Sequence, residues 1–332
     1  MSENKSVMIV GERASGGLSP ITKELLGGGR LISDQGGGSL EIVFLGDEIE
    51  HVAQESFAFG ANRVYLARSP LLKGYQPEAW LQVLEDLFRK VEPELVLMGQ
   101  TSMGRDLAPR LACRLGTGLA MDCIRVDLDP DAGLIRMSRP VFGGKAVAVM
   151  SCRSRPHLAT VRSKTMKAGD PDPSRKGEVV SFLAAIDDSR IKSRVVETVA
   201  EPTEGVALEE AKVVVGGGRG IGGKEGFQML DDLAVLLRGA TGASRPPCDS
   251  GWVSSSKQVG LTGKIVRPDL YVAVAISGSS QHMAGCQDSK TIIAINKDPE
   301  ANIFSFSHYG VVGDYRKVLP SLLQRLREKM MI

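Results

Sequence analysis

No apolar run in this sequence approaches the roughly 18–20 residues that a membrane-crossing helix needs. Its start, MSENKSVMIVGE, carries an early acid and no sustained apolar core, so it does not read as a secretory signal. Cysteine is scarce and scattered: Cys113, Cys123, Cys152, Cys248 and Cys286 form no C-x-x-C pair. That pattern argues against a disulfide framework, a zinc knuckle or an iron–sulfur cluster supplied by this chain. A reducing cytoplasm is the simplest home for it. An excess of charge is also lacking. Lys plus Arg (41) and Asp plus Glu (39) leave +2, which implies no polyelectrolyte partner and no nucleic acid.

What is present is an ordinary soluble composition over 332 residues, more than one core usually holds, so two domains are expected. Residues 7–10 (VMIV), 41–45 (EIVFL), 63–66 (RVYL) and 95–98 (LVLM) read as short buried strands. Between them lie helical patterns. One starts at Ser19, where Ser-Pro suits a cap and first turn; another covers 49–59 and ends at Gly60. A third, over 79–91, puts Leu81, Leu84, Leu87 and Phe88 on one side. A fourth is expected over 103–115, closed by Gly116 and Gly118. This alternation predicts a parallel sheet with crossover helices.

From Asp122 to Arg162 the segments shorten, and they are expected to add strands to the same sheet. Residues 167–211 are rich in Pro, Lys, Asp and Glu. Two apolar stretches within them, 179–183 and 195–199, are expected to pair as strands that complete the first domain. A flexible linker is placed at 200–208. Residues 212–215 then open a second α/β unit, and the loop 216–223 (GGGRGIGG) leads into a helix expected over 224–237. Gly218, Gly220 and Gly223 fit G-x-G-x-x-G, a dinucleotide-loop pattern. No acid stands about 20 residues on, where an NAD-binding fold places one, so an NAD-dependent dehydrogenase is disfavoured.

The richest stretch runs from Gly242 to Asn296. Residues 271–276 (YVAVAI) and 291–295 (TIIAI) read as buried parallel strands, being apolar without polar alternation. Between them SGSSQH (277–282) follows a strand and is expected to open a short helix, whose free N–H groups suit an anion such as pyrophosphate. GASRPPCDSGW, QVGLTGK, SGSSQHMAG, AINKDP and YGVVGD, with GRDLAPRLACRLGTG and RPHLATVR upstream, resemble the electron-transfer flavoprotein alpha subunit in order and spacing.

That resemblance implies an N-terminal nucleotide-hydrolase-like α/β domain, residues 1–205, pairing with a beta subunit. It implies a Rossmann-like FAD-binding domain, residues 206–332, that rocks on the linker. Electrons would come from acyl-CoA dehydrogenases or another flavoprotein dehydrogenase, with a membrane quinone oxidoreductase as a candidate acceptor. An alternative is a bifurcating, NADH-oxidising complex with a second FAD in the beta subunit. Carried onto this sequence, Arg219 and Ser244 contact the flavin nucleotide, and Val259, Gly260, Leu261 and Thr262 form the loop beside its ring. Ser277, Gly278, Ser279, Ser280, Gln281 and His282 wrap the pyrophosphate and reach the ring. Asn296 and Asp314 hold the adenosine end, with Tyr315 alongside.

Each residue also has a plainer reading. Arg245 is the expected cation over the flavin, where a fixed charge favours the one-electron-reduced anionic form; without the resemblance it is a surface arginine. His282 is one of four histidines, and an isolated histidine is more often structural than functional; its loop points to the flavin O2 edge. Thr262 offers a hydroxyl toward flavin N5, or is a turn residue. Asp314 is equally a helix N-cap. Leu261 departs from the Gln common in the family's loop, which removes a polar contact and puts the flavin potential in doubt.

Overall fold

The computed structural model describes residues 5–197 and 206–330, apart from Ser15, Glu48, Pro130 and Ala184. The chain divides into two compact units, residues 1–198 and 199–332. Most of the expected linker, 200–205, lies outside the described residues, and so does the expected boundary at 205. Leu208 already belongs to the second unit's core.

In the first unit, β1 (Val7–Val10) precedes a two-residue hairpin, β2 (Arg13–Ala14) and β3 (Gly17–Leu18), and then α1 (Pro20–Gly36). Ser19 caps α1 through its hydroxyl, which accepts from the Thr22 amide, and left-handed Gly37 ends it. Glycines inside this helix are a packing device: a Cβ on Gly27 or Gly28 would overlap residues 166–169. Three strand–helix repeats follow. They are β4 (Leu40–Gly46) with α2 (Val52–Ala58), β5 (Arg63–Arg68) with α3 (Pro77–Val91), and β6 (Leu95–Gly99) with α4 (Ser102–Leu115). Then come β7 (Leu119–Cys123), β8 (Arg125–Asp129), β9 (Leu134–Val141), β10 (Ala146–Met150), β11 (His157–Val161) and β12 (Glu178–Phe182).

Seven of these strands form one parallel sheet in the order β12-β5-β4-β1-β6-β11-β7. Its two faces are covered by separate apolar clusters, as continuous apolar strands require. The expectation that 122–162 adds strands to this sheet is met in part. β7 and β11 join it, but β8, β9 and β10 make an antiparallel sheet of their own. The expected strand pair at 179–183 and 195–199 is also corrected. The first stretch is the edge strand β12, paired in parallel with β5, whereas 195–197 has no regular structure and Val196 is 98% exposed. Residues 198 and 199 lie outside the described residues.

The second unit comprises β13 (Val213–Gly217), α5 (Phe227–Leu236), β14 (Ala240–Ala243), α6 (Arg245–Asp249), β15 (Leu270–Val274), α7 (Ser280–Met283), β16 (Thr291–Asn296), β17 (Tyr309–Val312) and α8 (Tyr315–Met330). Its five strands are parallel in the order β14-β13-β15-β16-β17. The helix expected from 224 starts at Phe227, because the glycine-rich loop spends 219–221 and 224–226 in tight single turns.

Candidate functional site

Five parallel strands point their C-terminal ends the same way, so the connections after β13, β14, β15, β16 and β17 gather along one edge. The chain goes from β13 to β14 on one side and to β15 on the other, which opens a crevice where strand order reverses. The predicted residues collect there: Arg219 after β13, Ser244 and Arg245 after β14, Ser277 to His282 after β15, Asn296 at the end of β16, and Asp314 and Tyr315 after β17.

Backbone, rather than side chains, lines the crevice. A Cβ on Gly218 would overlap the Ala275 carbonyl, so the loops after β13 and β15 approach as only glycine permits. Ala275 itself sits at φ 52, a left-handed conformation rare outside glycine, with its amide donating to the Ile295 carbonyl at 2.8 Å. Conformations of this kind concentrate at ligand clamps. Gly278 (φ +84) packs on the backbone of Ile303, where no side chain fits. Asn302 Nδ2 donates to the Gly278 carbonyl at 2.7 Å, and the Ile303 amide donates to the Ser277 carbonyl at 3.0 Å. These bonds anchor the loop from behind and leave Ser277, Ser279, Ser280 and Gln281 exposed. Asn296 ties strands together, donating to the Ile276 carbonyl at 2.9 Å.

The loop Val259, Gly260, Leu261 and Thr262 folds back on α7. Leu261 N–H donates to the Gln281 carbonyl at 2.7 Å, and Gly260 (φ +142) meets Gln281 closely. His282 holds the same junction from inside. Its Nδ1 lies 3.1 Å from the Val259 carbonyl, which can only accept, so Nδ1 carries the proton. Nε2 then accepts from the Tyr271 hydroxyl at 3.0 Å. Burial pushes the His282 pKa down to about 4, with the Val259 carbonyl partly opposing. The imidazole is therefore neutral near pH 7, with both nitrogens used by protein groups. In this chain the His282 ring thus lies between the Val259 carbonyl and the Tyr271 hydroxyl.

Arg245 is exposed and paired with Asp249, Nε to Oδ2 at 3.1 Å, at the start of the short α6. Ser244 is buried; its amide donates to the Gly217 carbonyl at 2.9 Å and its hydroxyl does not cap α6. Arg219 is exposed in the first loop. Thr262 Oγ1 accepts from Gln258 Nε2 at 2.9 Å, and Leu261 turns its side chain to solvent. Asp314 caps α8, accepting from the Arg316 amide at 3.0 Å. Tyr315 is buried and donates to the Ile221 carbonyl at 2.7 Å, so it braces the glycine loop with its hydroxyl. Sequence reasoning missed Ala275, Tyr271, Gln258 and Asn302. Only the Asn302 position, a short polar residue after a strand, carried even a weak local signal.

Among the described residues no group of three or more His, Cys, Asp or Glu could hold a metal ion, and no helix is long and apolar enough to cross a membrane. The second unit thus has the form of a dinucleotide-binding α/β domain, joined to a larger parallel-sheet unit. Family models give this class its particular member. The Electron transfer flavoprotein domain matches residues 7–187 and the Electron transfer flavoprotein FAD-binding domain matches 207–287. Similarity extends over whole chains. The electron transfer flavoprotein subunit alpha of Thermoanaerobacterium thermosaccharolyticum is 43% identical, covering 99% of both chains. That of Bacillus subtilis is 41% identical over 98% of both. The acryloyl-CoA reductase electron transfer subunit beta of Anaerotignum propionicum is 36% identical, covering 98% of this chain and 96% of its own. The chain belongs to the electron transfer flavoprotein alpha-subunit family.

Proposed function

We propose that this chain is the FAD-carrying subunit of a heterodimeric electron carrier rather than a stand-alone enzyme. Residues 206–332 hold one FAD, and residues 1–205 pair with a beta subunit. Electrons arrive from flavoprotein dehydrogenases, such as acyl-CoA dehydrogenases of fatty-acid β-oxidation, and leave to an acceptor oxidoreductase such as a membrane quinone oxidoreductase. A cytoplasmic home fits this role. One observation carries the reading: the backbone-lined crevice at the strand-order reversal, within the span matched by the FAD-binding family model.

A bound flavin supplies the one- and two-electron chemistry. The protein's part is placement. The exposed residues Ser277, Ser279, Ser280 and Gln281, with buried Gly278 among them, offer hydroxyls and backbone N–H groups to a pyrophosphate, while Arg219 and Arg245 supply positive charge at the rim. Val259, Gly260, Leu261 and Thr262 close one wall, with Thr262 presenting a hydroxyl. His282 and Tyr271 fix that wall to α7 from within. Asn296, Asp314 and Tyr315 secure the far end of the edge.

Co-purification of the native complex, followed by extraction and quantification of its flavin, tests the reading. About one FAD attributable to this chain is expected. Release of FMN alone, or of no flavin from a folded complex, would sink it. A second reading is prompted by the similarity to an electron transfer subunit of acryloyl-CoA reductase. In it, the complex bifurcates electrons from NADH with a further FAD in the beta subunit. Two FAD per heterodimer together with NADH oxidation would select it over the first.

A further inference from the structure

The small antiparallel sheet of the first unit has two unlike faces. Strand alternation and register put Val126, Leu128, Ile135, Met137 and Met150 on one face, where they pack into the first unit's core. The opposite face carries Leu134, Pro140, Val147 and Val149. On its β8 side Arg125 and Arg136 pair with Asp127 and Asp129, so the charges there are matched. On its β10 side the face is apolar, and Val147 is 52% and Val149 61% exposed. An apolar centre beside a charged rim is the anatomy of a protein interface.

β10 also ends the sheet. It pairs with β9 alone, and among the described residues no backbone-to-backbone bond leads from 146–150 to any other segment. The sequence AVAVM puts no charge and no proline on that edge, and the register with β9 runs without a bulge. Those are the devices with which free chains blunt an open edge. β12, the outer strand of the large sheet, does have one: Glu178, in an ion pair with Arg63. At the tip of the β9–β10 hairpin, Phe142 is 83% exposed and sits at φ 53, a left-handed conformation that bulky residues rarely adopt. Backbone of this kind concentrates at functional contacts.

We propose that the open edge and outer face of β10, with Phe142 at the tip, form the docking surface for the beta subunit. The partner lays an extended apolar segment along Ala146–Met150 and covers Val147 and Val149. This rests on the heterodimer of the proposed function. An unguarded apolar edge suits a chain that stays covered by an obligate partner, because a free chain would pair through it with its own copies. Strand addition supplies backbone hydrogen bonds along the edge, and alternate side chains supply specificity.

Hydrogen–deuterium exchange and native mass spectrometry of the co-expressed complex test this. Amides of 146–150 should be protected in the complex as strongly as those of β9, which is paired on both sides. Val149→Lys puts on the exposed face the charge that free edges carry, and should raise the dissociation constant of the heterodimer at least about hundredfold. Phe142→Ser should act in the same direction. Val179→Lys, at an exposed valine of β12, should leave the heterodimer unchanged. Thermal unfolding of each variant should stay near wild type, which separates a lost contact from a lost fold. A heterodimer with freely exchanging 146–150, or one that Val149→Lys and Phe142→Ser both leave intact, overturns the surface and leaves the heterodimer standing. A homodimer of this chain that Val149→Lys dissolves overturns the choice of occupant. Absence of any heterodimer in the wild type removes the proposed function together with the surface.

Discussion

The two parallel sheets finish their C-terminal edges in opposite ways. In the first unit, the edge from β6 to β7 is filled by a network of side chains. The Thr160 hydroxyl donates to Gln100, and the Asp122 amide donates back to Thr160 at 3.0 Å. Buried Arg162 grips the Asp122 carboxylate through two bonds, at 2.7 and 2.5 Å. In the second unit, the corresponding edge is glycine, serine and bare backbone. An edge closed by paired side chains has few polar groups left for a ligand, whereas one built from backbone presents N–H groups at close range. The same sheet architecture therefore yields a side-chain-filled stretch of edge in one unit and a backbone-lined edge in the other.

The largest expected effect breaks the filled edge. Asp122→Ala leaves the Arg162 guanidinium buried without this carboxylate, and should destabilise the first unit by about 3–5 kcal/mol. Urea denaturation measures it; flavin content per folded molecule should stay unchanged. Unaltered stability would mean that the network is ornamental. Next, Gly278→Ala strikes the cradle. Its φ of +84 and the Ile303 backbone leave no place for a methyl, so a loss of about 2–3 kcal/mol and of retained flavin is expected. Wild-type flavin retention would contradict a tight cradle.

A third test uses pH. Burial holds the His282 pKa at about 4 when folded, against the ordinary 6.5 of an unfolded chain, so the unfolded chain takes the proton first. This contribution is complete above pH 6.5 and is lost as pH falls toward 4, by up to about 3 kcal/mol at the acid end but only about 2 by pH 5. Denaturation of the flavin-free protein at pH 7, 6 and 5 should show that slope, and His282→Gln should flatten it. Equal slopes in both proteins would place the acid sensitivity elsewhere. The smallest effect concerns the rim. Arg245 is exposed and already paired, so Arg245→Ala should lower the first one-electron flavin potential by about 1 kcal/mol, roughly 40 mV. Arg245→Lys should restore part of it. Spectroelectrochemical titration decides, and an unchanged potential would remove Arg245 from the flavin's surroundings.

What the sequence revealed follows from how locally each feature is encoded. VMIV, EIVFL, RVYL and LVLM announce strands because both faces of a parallel sheet are buried, and Ser19-Pro20 announces a helix start on its own. Strand partners are not local. Residues 134–150 pair with each other in a separate sheet, and 195–197 packs into no strand at all, though its valines look the part. In the candidate site, glycine loops were legible because close backbone approach demands glycine. The left-handed Ala275 was not, since nothing about alanine advertises it. His282 stood out in the sequence because its neighbours are loop residues, but its burial did not. Its burial comes from a connection more than 20 residues upstream that folds back over α7.

The pairing of β12 with β5 has a consequence for synthesis. Glu178 meets Arg63 across a gap of 115 residues, so β5 remains an open edge while most of the first unit is being translated. Such distant pairing closes slowly, and an unpaired edge invites association with other nascent chains. Placing Arg63 and Arg68 at the two ends of β5 keeps charge on that waiting edge until the emerging segment arrives to cover it.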